Sequence, residues 1–574
     1  MDLSSFITSL LTSFVIFVAL VLVFTWLSRR PGNAPVYYPN LLLRGLDPWE
    51  GRRRGTRSPV GWIRDAISAS EPDVVAAGGV DAAVYLVFLS SVLAILVLSG
   101  MVLLPVLLPI AGTDHALELS ANKNKSAQNF SQIEILALGN VQELVPELEA
   151  EQKATLREKQ QPAALVFFNS RSAAASASQT LHAQVFDKWT VMEAPEPRDI
   201  IWPNLSRKIY ERQIRQVVVY FIVFLIVLFY TIPLGIIAAV TTLEKLREKL
   251  PFLKVVVDQP AIKTVLQAYL PQLALIVFLA LLPSLLLFLS KSEGIPSHSH
   301  AVRAASGKYF YFIVFNVFLG YTIGSTLFNS LTTLINSPTQ IVGMLANSLP
   351  RSATFFLTFV ALKFFVGYGL ELSRIVPFII FHLKRKYLCK TEDEVKAAWA
   401  PGNLSYNTRV PNDMLITTVV LCYSVIAPLI IPFGVVYFAL GWLVAKNQVL
   451  RVYVPSYESN GRMWPHMHNR IIAALVVYQI TMIGVIPLKK FYYSPILVPL
   501  LPMSIIFAYI CHMRFYPSFT KTPLEVAQHE LKERPNMEAI YSAYIPPCLK
   551  PDKLEDLDVF EDAQSHTTSR APSI

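Results

Sequence analysis

The stretch FFVGYGLELSRIV, Phe364 to Val376, lies inside an apolar run that extends from about Ala353 to Phe381. It carries a glutamate, an arginine and two glycines where its surroundings read as helix buried in lipid. A charge at bilayer depth costs at least a few kcal/mol, so Glu371 and Arg374 require either a tight partner or a polar pathway. On a regular helix Lys363, Glu371 and Arg374 share one broad face, with Lys363 near mid-bilayer and Glu371 closer to a membrane surface. Two readings stay open. One is a structural ion pair of Glu371 with Arg374 or with another helix; the other is a Glu371 that attracts cations into a hydrated path. Gly367 and Gly369 flank Tyr368 and weaken a helix by about 1 kcal/mol each relative to Ala, which suits a hinge or bulge as well as close helix packing. Phe355, Phe356, Phe364 and Phe365 fit a water-repelling constriction or ordinary packing.

The rest of the chain supplies the membrane context. With 53% hydrophobic and 16% charged residues among 574, the composition excludes a soluble enzyme and predicts an all-α polytopic membrane protein. Ten segments are long and apolar enough to cross a hydrocarbon core about 30 Å thick. They run approximately Phe6–Trp26, Ala83–Ile110, Val217–Val240, Leu270–Leu289, Tyr309–Leu334, Ala353–Phe381, Leu415–Ile431, Phe433–Ala445, Ile471–Leu488 and Ile496–Cys511. The seventh and eighth form one apolar run, divided at PLIIPFG, Pro428 to Gly434, into a tight helical hairpin. The span from Ala83 has serines as its only polar residues and reads as lipid-facing.

Basic loops give sidedness, because Lys and Arg in short loops stay cytoplasmic. SRRPGN and GRRRGTR follow the first span, so the N-terminus faces outside and the span is a retained anchor. The second span returns outward to a polar loop bearing the glycosylation sequons of Asn124 and Asn129. LSRKIYERQIR at Leu205, HLKRKYLCK at His382, Arg470 and Arg514 all demand the cytoplasm. The two halves then disagree: between Ala111 and Arg212 no stretch can cross, although an odd number of crossings is needed there.

Six blocks carry a resemblance: FTWLSRRPGNAPVYYPN, AAGGVDAAVYLVFL, DKWTVMEAPEPRDIIWPNL, SEGIPSHSHAVRAASGKYFYF, RSATFFLTFVALKFFVGYGLELSRI and VYVPSYESNGRMWPHMHNRI. In these the chain resembles the plant osmosensitive, calcium-permeable stress-gated cation channels, in particular their early-responsive-to-dehydration type. The resemblance implies eleven transmembrane helices in an anoctamin-like fold, an outside N-terminus, a homodimer with one pore per subunit, calcium as a permeant ion, and a pore glutamate that matches Glu371. It also implies a third helix and a ferredoxin- or RNA-recognition-like cytoplasmic domain between the second and fourth helices. Here IEILALGNVQ runs directly into ELVPELEAEQ, so that helix and the first half of that domain look deleted, which accounts for the parity fault. Lys363 departs from the simplest picture of a cation pore.

The expected organisation is an N-terminal transmembrane region (1–110), a loop and truncated cytoplasmic domain (111–212), a transmembrane channel region (213–515) and a disordered cytoplasmic tail (516–574). The truncated domain reads as a charged helix Glu143–Lys159, a strand AALVFFN (Ala163–Asn169) and a helix in SRSAAASASQTL. Its aromatics Phe167 and Phe168 are assigned to packing, with no nucleic-acid partner. Asn316, Tyr321, Gln272 and Tyr423 are further candidates for lining the path. Membrane lipids and permeant cations are the expected partners, in a multi-pass protein of the plasma membrane. No phosphate loop, nucleophile elbow or cysteine framework occurs, and His298/His300 and His466/His468 are read as loop or packing residues; no catalytic residue, metal or cofactor is expected. The rival functions are a lipid scramblase on the same fold and a non-conducting, truncated subunit.

Overall fold

The computed structural model describes residues 3–46, 61–113, 163–180, 182, 191–205, 207–230, 281–319, 340–391, 394–395, 398, 400–488, 494–529 and 537–545. Among these the protein is helical, and its only bridge of β type joins Ile200 to Ser297. The helices used below are α1 (Leu3–Leu27), α2 (Ala34–Tyr37), α3 (Glu71–Thr113), α4 (Arg171–Gln179), α5 (Ile209–Phe229), α6 (His298–Ile313), α7 (Gln340–Leu362), α8 (Tyr368–Ser373), α9 (Ile375–Tyr387), α10 (Tyr406–Tyr423), α11 (Ile430–Arg451), α12 (Trp464–Leu488), α13 (Leu500–Thr520), α14 (Leu524–Gln528) and α15 (Met537–Ala543). Seven helical stretches among the described residues are long and apolar enough to cross a membrane.

The chain divides into two compact units. The first comprises residues 1–122, 313–519 and 556–574, and the second 123–312 and 520–555. The core of the first unit is α3 packed along α11, with α10 against α12 and α1 against α8. The expectation that the second span faces lipid is therefore corrected. Tyr85, Phe88 and Leu89 of α3 are buried, while Val87, Ile95 and Met101 remain exposed, so only one side of this helix looks outward. The predicted hairpin exists, with its break at residues 424–429, which takes in Pro428 and Leu429 at the front of PLIIPFG. α10 stops at Tyr423 and α11 restarts at Ile430, so Pro432 falls in the first turn of α11, where a missing N–H leaves nothing unsatisfied.

In the second unit AALVFFN belongs to no sheet: residues 163–168 carry no regular structure, because no partner strand stands beside them among the described residues. The small-residue helix is present as α4, capped by Ser170, whose hydroxyl accepts the Ala173 amide at 3.1 Å. Nor is the whole C-terminal segment a free tail. The Gln179 amide donates to the Thr522 carbonyl at 2.7 Å, the Thr522 N–H donates to Glu193 at 2.8 Å, and Phe167 stacks on Tyr541 of α15 at 4.4 Å. Phe167 thus packs against a helix, as its assignment required. The Glu143–Lys159 helix lies outside the described residues.

A loop-to-helix knot fixes a kink inside α3, at its ninth residue. Gly79 adopts φ 78° and ψ 177°, backbone that essentially only glycine takes, and a Cβ there would fall on the Glu458 carboxylate. Glu458 accepts the Val80 N–H at 3.3 Å, and Asp81 accepts Ser459 N–H, Ser459 hydroxyl and Gly461 N–H at 2.6–2.9 Å. Asn40 donates to the carbonyls of Ala77, Val449 and Tyr453, tying α3 to the end of α11. Gly79→Ala is expected to destabilise the protein by about 1–3 kcal/mol, from strained backbone alone. Gly32→Ala, at a position open on all sides, is expected to be neutral. Thermal unfolding of the detergent-solubilised protein compares the two, and equal melting temperatures would refute the assignment.

Candidate functional site: a buried charged seam beside a helix break

The run from Gln340 to Tyr387 is not one helix. After α7, residues Lys363–Gly367 widen into a π turn; α8 follows for six residues, Arg374 turns left-handed at φ 49° and ψ 30°, and α9 begins. The cause of the second interruption is Pro377. Without an N–H it cannot take the Ser373 carbonyl, which favours a restart that leaves Pro377 in the first turn of α9. The carbonyls released at the break find side chains instead. Tyr37 Oη–H donates to Ser373 O at 2.8 Å, and Gln448 Nε2–H donates to Glu371 O at 2.9 Å. The two glycines have separate roles. A Cβ on Gly369 would lie 2.9 Å from Leu20 and 3.3 Å from Phe17, so its small size admits α1, whereas Gly367 meets nothing within 4 Å.

The π turn and the left-handed residue rotate the charged side chains away from the single face of a regular helix. Glu371 pairs with Arg409 of α10, both largely buried, and not with Arg374. The Arg409 guanidinium lies over the rings of Tyr85 at 5.9 Å and Tyr453 at 6.0 Å. One turn further along α10, buried Asp413 accepts the hydroxyls of Tyr85 at 2.5 Å and Tyr437 at 2.7 Å. Tyr368 sits with its ring 5.1 Å from that of Tyr437. Lys363 places its ammonium 5.5 Å over Phe359, and the acid whose charge reaches it is Asp413. Arg374 lies among Tyr37, Tyr453 and Glu371, and its Nε and Nη1 have no hydrogen-bond partner among the described residues. The seam therefore draws on α3, α8, α10 and α11.

Other candidates fall elsewhere. Phe356, Tyr423 and Phe318 are fully buried and stack on one another at 5.1–6.4 Å, while Phe355 is half-buried against Phe356 and Phe359. Asn316 lies in a second π turn, Val314–Leu319, so two of the polar candidates occupy π geometry, which often accompanies function. Tyr321, Gln272, Asn124 and Asn129 lie outside the described residues. Sequence reading missed Arg409, Asp413, Tyr85, Tyr437 and Gln448. The signal for the first two was present: in YNTRVPNDM an Arg and an Asp stand four apart directly before a span, hence on one helical face.

These features define a polytopic membrane protein with its charged side chains turned inward. Comparison with known proteins is consistent with this. Residues 215–486 match a family described as "calcium-dependent channel, 7TM region, putative phosphate", residues 5–150 "late exocytosis, associated with Golgi transport", and residues 129–204 the "cytosolic domain of 10TM putative phosphate transporter". The chain is 47% identical to CSC1-like protein ERD4 of Brassica juncea and 47% identical to hyperosmolality-gated Ca2+ permeable channel 3.1 of Arabidopsis thaliana, in both cases with 97% of each chain covered. It is 36% identical to channel 1.7 of Arabidopsis over 73% of this chain and 56% of that one. The chain belongs to this family of CSC1-like, hyperosmolality-gated calcium-permeable channels. The alignment with ERD4 runs over 705 positions, more than the 574 residues present, so that relative carries residues with no counterpart here.

Breaking a buried ion pair from one side strands a charge, at a cost of about 3–5 kcal/mol, whereas removing both charges is far milder. Arg409→Gln is therefore expected to lower the unfolding temperature markedly, and Glu371→Gln/Arg409→Gln to recover most of the loss. A double variant no more stable than Arg409→Gln alone would show that the two residues are not coupled.

Proposed function

We propose that the chain is a calcium-permeable cation channel opened by membrane tension or hyperosmotic stress. The observation that carries this reading is 47% identity to a hyperosmolality-gated Ca2+ permeable channel across 97% of both chains. Tension favours whichever state has the larger in-plane area, and only that difference can gate a pore. The proposed path runs beside α7 and α8, with Glu371 as its cation-attracting carboxylate, Lys363 and Arg374 as the cations that temper it, and Tyr368, Asn316, Phe355 and Phe356 as neighbours of the constriction. In the closed arrangement Glu371 is neutralised by Arg409 and Asp413 is held by two tyrosines, so neither carboxylate is open to an ion. Opening exchanges Arg409 for a permeant cation at Glu371. Gly367, with open space around it, supplies the compliance at the end of the π turn. Residence in the plasma membrane and assembly as a homodimer complete the proposal.

A second reading has specific support: a non-conducting subunit. The additional aligned positions of two relatives are consistent with loss of a crossing and of half the cytoplasmic domain near residues 129–150, where two of the family matches overlap. Pressure-clamped patches from cells without endogenous stretch-activated current, with surface display confirmed, distinguish the two. The channel reading predicts a stretch-evoked cation current whose unitary conductance or reversal potential changes in Glu371→Gln. Silence from displayed protein sinks it and leaves the subunit.

A further inference from the structure

Beyond the break at Arg374, α9 exposes Val376, Ile379, Ile380, Leu383 and Tyr387, each 47–69% exposed. Their spacing of three, one, three and four residues places them on a single helical stripe. Phe381 is the buried residue of this helix, and its main helix neighbours among the described residues are α8 and α2. The same helix ends in Lys384, Arg385 and Lys386, and none of these three has an acidic ion-pair partner among the described residues; Lys390 follows, beside Glu394. Glu394, the nearest described acid in sequence, spends its carboxylate on the amides of Lys390 and Thr391 at 2.5 and 3.1 Å.

Length sets the depth of this element. Ser352–Tyr387 is a 36-residue stretch, interrupted at Lys363–Gly367 and at Arg374, whose helical rise sums to about 54 Å against a hydrocarbon core of about 30 Å. The residues past the break therefore reach the membrane surface, which the basic residues place on the cytoplasmic side. An apolar stripe that is exposed among the described residues and ends in cations with no described acidic partner matches one occupant in shape and charge: a phospholipid with an anionic headgroup, its chains along the stripe and its phosphate at the cluster.

We propose that α9 is a docking site for anionic phospholipid of the cytoplasmic leaflet, with Val376, Ile379, Ile380 and Leu383 against the acyl chains and Lys384, Arg385 and Lys386 against the headgroup. The site stands on membrane embedding alone and does not depend on whether the chain conducts. It also places lipid at the far end of the element whose near end carries Glu371 and the helix break.

The test uses the full chain in nanodiscs that contain photo-crosslinkable phosphatidylserine or, in parallel, photo-crosslinkable phosphatidylcholine, with adducts mapped by mass spectrometry. Phosphatidylserine is expected to label residues 375–390 well above phosphatidylcholine. The triple variant Lys384→Gln/Arg385→Gln/Lys386→Gln is expected to weaken labelling there roughly a hundredfold in apparent affinity, the size expected when three cations near an anionic surface are removed. Lys384→Arg/Lys386→Arg retains it, because charge and not lysine geometry does the binding. Equal labelling by the two lipids, unchanged labelling in the triple variant, or crosslinks between two protein copies at α9 would each overturn the proposal.

Discussion

A carboxylate within a membrane-spanning helix must be given a cation, and much of the described transmembrane unit is arranged around giving Arg409 to Glu371. Their pairing fixes α8 against α10. Asp413, on the same helix as Arg409, needs its own compensation and receives it from Tyr85 of α3 and Tyr437 of α11. Four helices thus meet at two carboxylates. Since replacing a buried pair with apolar residues is often neutral or stabilising, stability alone does not account for keeping the charges. What the arrangement supplies is an anionic group at membrane depth whose counter-ion is a side chain and therefore exchangeable.

The same segment gives up helical regularity at both ends of α8. The π turn from Lys363 to Gly367 and the left-handed Arg374 each cost backbone energy, about 1–2 kcal/mol for a left-handed non-glycine residue. At the second interruption neighbours supply the missing contacts: Tyr37 takes up the Ser373 carbonyl that Pro377 cannot serve, and Gln448 takes up the Glu371 carbonyl. Glu371 is consequently held twice, by its side chain and by its backbone, from two different helices. A rearrangement that moves α8 relative to both neighbouring helices must release both contacts.

Much of this was legible in sequence and some was not, for identifiable reasons. Apolar length located the seven stretches that are long and apolar enough to cross a membrane among the described residues, because hydropathy reports directly on solvation. The unusual character of Phe364–Val376 was equally visible, since charge in an apolar run needs no structure to be recognised. The partner of Glu371 was not, because Arg409 precedes the apolar run that begins at Leu415 and reads as a loop residue; only tertiary packing brings it to membrane depth. Tyr85 was overlooked because a tyrosine in an apolar helix is ambiguous until its hydroxyl has an acceptor. The bulge sought at the glycines is present as the π turn that ends at Gly367, whereas the second interruption, at Arg374 three residues before Pro377, was not foreseen. The strand at AALVFFN failed for a different reason: a strand is defined by its neighbours, and alternation cannot supply a missing ladder.

The break also separates two elements of opposite character. α8, on one side, buries Tyr368, Gly369, Leu372 and Ser373 and is locked by ion pair and hydrogen bonds; α9, on the other, buries Phe381 and turns the rest of its apolar stripe outward. Local stability follows buried contacts, so α9 is the part of this unit whose position depends on what surrounds the protein, and α8 the part whose position depends on the protein itself. Arg374 joins them as a single left-handed residue, with Tyr37 bonded to the carbonyl immediately before it. A displacement of α9 in the membrane therefore meets the backbone of α8 within one residue of its last turn, and Glu371 lies in that turn. Along the chain only Leu372, Ser373 and Arg374 stand between the buried carboxylate of Glu371 and the first residue of the outward-facing α9.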